Sequence, residues 1–294
     1  MSAIDKTFVK KSFNRHAATY DDYAALQGRL GERLLQFVNG SLPAAPRILD
    51  IGMGTGNTTI HLLQKFPGAC VHGCDIALNM VARARAREQL QARKQFFITA
   101  DTEFLPYRSA CFDLVISSFT LQWLEQWDRA VHEIFRVLQP GGTFLCSAFG
   151  EQTFNELKAC FARACRETGY TRGEALQLHG SAEHCRATLD AAGFIPLFTT
   201  SDMLTQRYPS VADLIHSIKG MGAQNASRKR NRGLGIRRIW KRMIAVYAAD
   251  FREQDGIAAT YHVIMGGGRK PAPEKREATW APSSTWDRAS SGAT

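Results

Sequence analysis

Arg47-Ile-Leu-Asp-Ile-Gly-Met-Gly-Thr-Gly-Asn57 runs a short apolar strand straight into a glycine-rich turn. Ile48, Leu49 and Ile51 are β-formers after Pro46, as a buried parallel strand requires. Gly52, Gly54 and Gly56 lack a Cβ, so they can take positive φ and let a ligand approach the backbone closely. From Asn57 onward, Ile60, Leu62, Leu63 and Phe66 recur at helical spacing, and Pro67-Gly68 stops the helix. The glycines therefore stand where a strand hands over to a helix. That is the carboxyl end of the sheet, where open α/β folds bind their ligands.

The pattern is Asp-x-Gly-x-Gly-x-Gly. A dinucleotide fingerprint, Gly-x-Gly-x-x-Gly counted from Gly52, would need a glycine where Asn57 stands. The spacing thus favours an adenosine-containing cofactor without a pyrophosphate, S-adenosylmethionine. A purely structural turn is the competing reading. Asp50 suits either an aminoacyl ammonium or the fixing of the loop. A second apolar run, Ala69 to Cys74, ends in Asp75, ~20 residues beyond the turn, where a carboxylate can accept both ribose hydroxyls. Asp75 also precedes Leu78, Met80 and Val81, so a helix N-cap is its alternative role. Phe96-Phe-Ile98 forms a third strand, followed by Ala100-Asp101-Thr102-Glu103. An acid there can accept from an adenine amino group, although an aspartate after a strand also serves as a plain turn residue.

The 294 residues suffice for one large α/β domain with additions or for two small domains, and 45% hydrophobic residues allow a sizeable core. Strand-like runs near 47–51, 69–74, 95–99, 113–117 and 142–148 alternate with helical segments, which argues for helices on both faces of a mostly parallel sheet. Ala130, Val131, Ile134, Phe135 and Leu138 mark a helix before Pro140-Gly-Gly142, and Phe154, Leu157, Phe161 and Cys165 mark another. Gly193 to Phe198 reads as a sixth strand and Ala259 to Met265 as the last. Residues 1–40 read as helical. The tail from Arg269, rich in Pro, Ala, Ser and charge, reads as disordered.

Seven scattered cysteines without a Cys-x-x-Cys pair are expected to be reduced thiols, and no signal peptide is visible, so a cytoplasmic location is expected. No apolar run approaches the ~18 residues of a membrane helix. His179, His184 and Cys185 lack the spacing of a helical metal pair, and no metal is expected.

Leu49-Asp-Ile-Gly-Met-Gly-Thr-Gly56, Asp75, Ala100-Asp101, Phe112-Asp-Leu-Val-Ile116 and Val137-Leu-Gln-Pro-Gly-Gly142 resemble the seven-stranded, class I S-adenosylmethionine-dependent methyltransferases over about residues 45–150. The resemblance implies a Rossmann-like, mostly parallel sheet whose last strand is antiparallel. It implies that Asp50, Gly52, Gly54 and Gly56 hold the methionine part, Asp75 the ribose and Asp101 with Thr102 the adenine edge, with Ile76 and Ser117 counted among the cofactor residues.

A narrower resemblance comes from the ends. Phe13-Asn-Arg-His-Ala-Ala-Thr-Tyr-Asp-Asp-Tyr-Ala-Ala-Leu-Gln27, Ser118-Phe-Thr-Leu-Gln-Trp123, Leu214-Ile-His-Ser-Ile-Lys-Gly-Met-Gly-Ala223 and Thr260-Tyr-His-Val-Ile-Met265 look like segments of the malonyl-[acyl-carrier protein] O-methyltransferase family of biotin synthesis. That family methylates the free carboxyl of a malonyl thioester so that fatty-acid synthesis can elongate it toward pimelate. Met53 between two glycines departs slightly from its pattern. The implied organisation is a helical lid at 1–40, a methyltransferase domain at 41–268 with a helical insert at about 205–255, and a tail at 269–294.

The chemistry needs no general base, since a malonyl carboxylate is ionised at neutral pH. It needs water exclusion and alignment. Tyr20, Tyr23 and Gln27 are candidate lid residues, Gln122 and Trp123 can face the methyl donor, and Lys219 can pair with the substrate carboxylate or a phosphopantetheine. The formal net charge is +10, and Leu214 to Ala249 contains no Asp or Glu. Arg228, Lys229, Arg230, Arg232, Arg237, Arg238, Lys241 and Arg242 all fall there, a patch able to steer an acidic acyl-carrier protein. Nucleic acid would be attracted by the same charge, and a merely solvated helix face is the third reading. Against a base methyltransferase, the segment after the fourth strand reads Ser117-Ser-Phe-Thr120, without the Asp-Pro-Pro-aromatic run of amino methylation, and no Pro-Cys or Thr-Cys pair exists. A methyltransferase of a small carboxylic acid or quinone, and a non-catalytic binding protein, remain as alternatives.

Overall fold

The computed structural model describes residues 4–38, 42–91, 95–170, 180–222 and 236–272. Three helices come first: α1 (Lys6–His16), α2 (Tyr20–Tyr23) and α3 (Ala25–Leu34). The alternating part follows as β1 (Arg47–Ile51), α4 (Asn57–Lys65), β2 (Cys70–Asp75), α5 (Leu78–Arg85), β3 (Gln95–Thr99), β4 (Phe112–Ser118), α6 (Trp127–Val137) and β5 (Leu138–Phe149). The chain continues through α7 (Asn155–Thr168), α8 (Ala182–Ala191), β6 (Ile195–Tyr208), α9 (Val211–Gly220), α10 (Ile236–Asp250), β7 (Arg252–Glu253) and β8 (Gly256–Arg269).

The strands form one sheet in the order β3-β2-β1-β4-β5-β8-β6, with β7 paired to β8 alone. β1 to β5 run parallel, while β8 is antiparallel to both β5 and β6. From β1 the chain builds outward through β2 to β3, then returns to lay β4 on the other flank of β1. The strand order reverses there, and open α/β sheets bind ligands at the carboxyl ends of the strands around such a point.

Alternate residues of each central strand serve opposite faces. Ile48, Leu114, Ile116 and Leu145 join a core shared with α3, α4, α7, α9 and α10. Leu49, Ile51, Val115, Phe144 and Cys146 join the other core, closed by α6 and α8. Both faces are covered, which is why these strands read as continuous apolar runs instead of alternating ones.

The α/β class and the mixed sheet agree with the sequence reading, and three details are corrected. Among the described residues eight strands form instead of seven, the extra one being the two-residue β7, whose Arg252 and Glu253 pair with Ile257 and Gly256. β6 and β8 span 14 residues each, well beyond 193–198 and 259–265. Polar residues such as Thr205, Gln206 and Arg207 are carried into β6 because pairing with Thr260, Ala259 and Ala258 supplies their backbone hydrogen bonds. Residues 205–208 therefore belong to this strand, and the helices between β6 and β8 occupy 211–220 and 236–250. The third correction concerns β5, which begins at Leu138, since that residue pairs with Phe112 across a register shift. At the other end β8 runs through Arg269, and the Lys270 ammonium donates to the carbonyls of Phe135 and Leu138. The tail from 273 lies outside the described residues.

All seven cysteines are free. Among the described residues, no helix is long and apolar enough to cross a membrane.

Candidate active site

A cleft partly open to solvent lies at the carboxyl ends of the central strands, beneath the N-terminal helices. The loop after β1 forms its floor. Gly52 has φ 64° and Gly54 φ 56°, values an L side chain rarely takes. A Cβ on Gly52 would run into the Thr120 hydroxyl, whereas one on Gly54 would meet only Tyr20 Cε1, 3.8 Å away. Backbone is thus bared toward the cleft at Gly54. Thr120 ties the loop to the segment after β4, donating from Oγ1 to the Ile51 carbonyl at 3.2 Å.

Asp75 closes one side. Its Oδ2 accepts from the Gly54 amide at 3.0 Å and its Oδ1 from the Ala77 amide at 2.8 Å. Burial pushes its carboxyl up to about 6, against the pull of these two amides. Each oxygen keeps a lone pair for a hydroxyl donor. Asp75 is not the N-cap of α5; Ala77 holds that position. Ile76 and Met80 line the cleft beside it.

Asp101 and Thr102 stand at the same end, after β3. Asp101 is engaged from above: the Lys6 ammonium of α1 lies 2.8 Å from its Oδ2 and 2.7 Å from Glu103 Oε2. Glu103 is buried, and its other oxygen accepts from the amides of Glu125 and Gln126.

The opposite end, toward β5 and β8, is aromatic and neutral. Phe119 packs at a tilt on Phe149 at 4.4 Å, and Tyr261 packs on Phe149 and Phe154 at 5.4 and 4.8 Å between ring centroids. Phe119 and Phe154 both have positive φ, 56° and 59°. Such strain costs of order 1–3 kcal/mol per residue and persists where surrounding structure enforces it, often at functional sites. Gln122 and Trp123 lie on the short 3₁₀ turn after β4 and line this end; Gln122 Oε1 accepts from the Phe149 amide at 2.8 Å. Tyr20 and Gln27 line the cleft from α2 and α3, Tyr20 standing against Gly54 and Met80.

Five residues singled out from the sequence lie elsewhere. Asp50 sits behind the glycine loop, 1% exposed, with Oδ2 accepting from Thr59 Oγ1 at 2.7 Å. Burial, aided by the nearby Asp75 charge, pushes it up to about 7, against the Thr59 bond, and its Oδ1 has no partner among the described residues. Gly56 is the N-cap of α4, in contact range of Leu90 and Ala84. Ser117 is buried in register between Ile51 and Cys146, while its neighbour Ser118 lines the cleft. A single residue along a strand reverses the face. Lys219 is exposed on α9, which turns Val211, Leu214 and Ile218 inward. Tyr23 does not line the cleft; its hydroxyl bonds His216 Nε2 at 2.8 Å. His184 packs on Trp127, and His179 lies outside the described residues. Among the described residues, no cluster of three or more metal-binding side chains is found.

Lys6, Met221 and Tyr261 were not anticipated. Nothing local marks them, because each is brought in by an element distant in sequence.

The groups present fit S-adenosylmethionine. The bared backbone at Gly54 and the free lone-pair directions on Asp75 offer room and acceptors where a hydroxyl-rich ligand needs them.

Residues 49–146 match the family model described as a methyltransferase domain. The malonyl-[acyl-carrier protein] O-methyltransferase of Geobacter sulfurreducens is 38% identical over 269 residues, covering 91% of this chain and 100% of that protein. The chain belongs to the malonyl-[acyl-carrier protein] O-methyltransferase family. The protein of the same name from Halorhodospira halophila is 33% identical over 90% of this chain and 88% of its own length. The crystal structure of YcgJ from Bacillus subtilis shares the fold, with a TM-score of 0.58 at 18% identity, covering 83% of this chain and all of the other. As a malonyl-[acyl-carrier protein] O-methyltransferase family member, the chain carries its general methyltransferase domain in β1 to β5. The N-terminal helices, α9, α10 and β8 lie outside that domain, and the Geobacter relative is matched along its whole length, well beyond 49–146.

Proposed function

We propose that this enzyme transfers the methyl group of S-adenosylmethionine to the free carboxylate of a malonyl thioester on acyl-carrier protein. The product is the methyl ester that primes pimeloyl synthesis for biotin. The observation that carries the reading is the 38% identity to the Geobacter protein along the whole of that protein. The similarity reaches the segments that roof the cleft, which a general methyltransferase domain lacks.

S-adenosylmethionine supplies a methyl group already activated on a sulfonium. Asp75 would hold the ribose hydroxyls, the Gly52–Gly54 backbone the methionine part, and Asp101 with Thr102 the adenine edge, alongside Lys6. Asp50 supports the loop from behind and places a carboxylate near the donor's cationic portion. Ile76 and Met80 supply apolar contact. The phenylalanines and Tyr261 exclude water from the acceptor end. A cation and an anion combine into neutral products, so a dry site stabilises the charge-dispersed transition state relative to the separated ions. Alignment supplies much of the remainder, since well-oriented reactants reach effective molarities of ~10⁵ M or more.

The N-terminal helices act as the lid of a methyltransferase domain, and the basic insert receives the carrier protein. On α10, Arg237, Arg238 and Lys241 are exposed. Arg242 is committed to Glu167, which also pairs with Arg163 at 2.9 Å. Arg228, Lys229, Arg230 and Arg232 lie outside the described residues. The free thiols suit a reducing, cytoplasmic setting.

Product analysis with malonyl-acyl-carrier protein and labelled donor tests the reading. A labelled methyl ester is expected. Efficient transfer to RNA, a quinone or a free carboxylic acid, with no ester on the carrier, would overturn it.

A further inference from the structure

The acceptor end of the cleft contains an amide that is only half satisfied. Gln27 Nε2 donates to the thioether Sδ of Met221 at 2.9 Å, and its Oε1 is buried with no hydrogen-bond partner among the described residues. A thioether is a weak acceptor, and a buried amide oxygen without a donor is costly. Oxygen and nitrogen of an amide are interchangeable by a flip about the last side-chain bond. The flip gives up only the weak bond to the thioether and turns the –NH₂ to the side where the oxygen stood, so this cleft-lining amide can offer a donor to an incoming acceptor.

The charges around the cleft are distributed unevenly. Among the described residues that line it, Lys6 is the one Lys or Arg, and it is tied to Asp101 and Glu103 at the donor end. The lining away from the carboxylates presents Gln27, Gln122, Trp123 and Tyr261 as its neutral polar groups instead. Gln122 spends its oxygen on the Phe149 amide, which leaves its –NH₂ as a donor, and Tyr261 is hydrogen-bonded to Tyr208.

We infer that Gln27 receives the acceptor carboxylate through a neutral N–H donor, in a lining whose described residues place no cation beside it. This rests on the carboxyl-methylation reading above. In the step itself, a lone pair of the carboxylate oxygen forms the O–CH₃ bond as the CH₃–S⁺ bond breaks, and that bonding pair returns to sulfur. No proton moves, and a carboxylate and a sulfonium become a neutral ester and a neutral thioether. A fixed cation beside the carboxylate would be attracted to the reactant far more than to the ester. It would hold back the lone pair that must attack. An amide N–H orients the oxygen at much smaller cost to its nucleophilicity, and it binds the uncharged product weakly, which favours release.

The test compares wild type with Gln27→Glu and Gln27→Met on malonyl-acyl-carrier protein, with S-adenosylhomocysteine binding and thermal melting measured in parallel. Wild-type turnover establishes the underlying activity; if it forms no ester, the carboxyl-methylation reading fails before Gln27 is in question. The Met variant is expected to lose about ten- to a hundredfold in kcat/KM, the scale of a lost hydrogen bond to a charged group. The Glu variant is expected to lose more at pH 8 and to recover as the pH falls, because a protonated carboxyl again offers an O–H donor. S-adenosylhomocysteine affinity and melting temperature should stay near wild type in at least one variant. Wild-type kcat/KM in both variants would overturn the inference. So would a Glu variant whose loss does not change with pH, or losses in both variants that only parallel loss of cofactor binding.

Discussion

Lys6 is ion-paired to Asp101, with Nζ 2.8 Å from Oδ2, and so fastens the first helix of the chain to the loop after the third strand. The same ammonium bonds Glu103, a carboxylate only 3% exposed in its side chain. The first helix and the loop that carries Asp101 and Glu103 are therefore held together at one end of the cleft. Asn14 adds a second fastening, its Oδ1 accepting from the Asn79 amide at 2.8 Å, and Asp21 a third, its Oδ1 accepting from Thr55 Oγ1 at 2.6 Å.

Replacing Lys6 by Met keeps the length and removes the charge. Donor release should speed up by about tenfold, the scale of one or two charge-assisted bonds in a partly exposed site. Stopped-flow displacement of the bound donor, with the melting temperature recorded alongside, checks this. An unchanged release rate would show that the lid does not hold the donor.

Asp75→Ala should weaken S-adenosylhomocysteine by about ten- to a hundredfold through loss of two acceptors. It also frees the Gly54 and Ala77 amides that the carboxylate holds. Calorimetry reads the affinity, and the effect should exceed that of Asp101→Ala, since Asp101 shares its oxygens with Lys6 and Glu103.

The two raised carboxyls make a pH prediction. Asp75 titrates near 6 and Asp50 near 7, both above their unfolded value of 3.8, because burial favours the neutral form. Their contribution to stability is then fully present below about pH 4 and is lost as the pH rises through 6 to 7. Donor binding that draws on the ionised forms should release protons between pH 5.5 and 7.5. Calorimetry in two buffers of different ionisation enthalpy measures that release directly; identical heats in both would contradict it.

Gly52→Ala should destabilise the protein by about 1–3 kcal/mol, because the left-handed backbone is strained by a Cβ that must also displace Thr120. Denaturant unfolding gives the number. Gly28→Ala provides the control, since nothing lies within 4 Å of a Cβ there.

Charge reversal of Arg237, Arg238 and Lys241 should raise KM for the carrier-bound substrate and leave a small malonyl thioester almost unaffected. The defect should shrink at high salt, since exposed charges are screened over ~8–10 Å at physiological ionic strength. Equal loss with both substrates would remove α10 as the docking face.

Much of the donor end was legible because its signals are local. Strand, three glycines and helix start fall within Arg47 to Asn57, and Asp75 closes the next strand. The phase of a strand buried on both faces is not legible, which is why Ser117 was expected where Ser118 stands. Helix phase misplaced Lys219 in the same way: it follows the inward Ile218 by one residue, about 100° around the helix. The acceptor end was mostly hidden. Met221, Tyr261 and Lys6 arrive through long-range packing, and the positive φ of Phe119 and Phe154 has no signature in residues of that type. β6 extended past its apolar part for the same reason, since its partner β8 supplies the bonds.

The roof over the cleft is a seam between the N-terminal helices and residues 216–222. Ser12 Oγ donates to the Gly222 carbonyl across 210 residues of sequence, and Tyr23 and Gln27 meet His216 and Met221 at the same joint. During synthesis, the leading helices leave the ribosome long before their counterparts exist. The leading helices therefore find these partners only once residues 216–222 have been made. Removing either flank would therefore leave the opposite one without its mate.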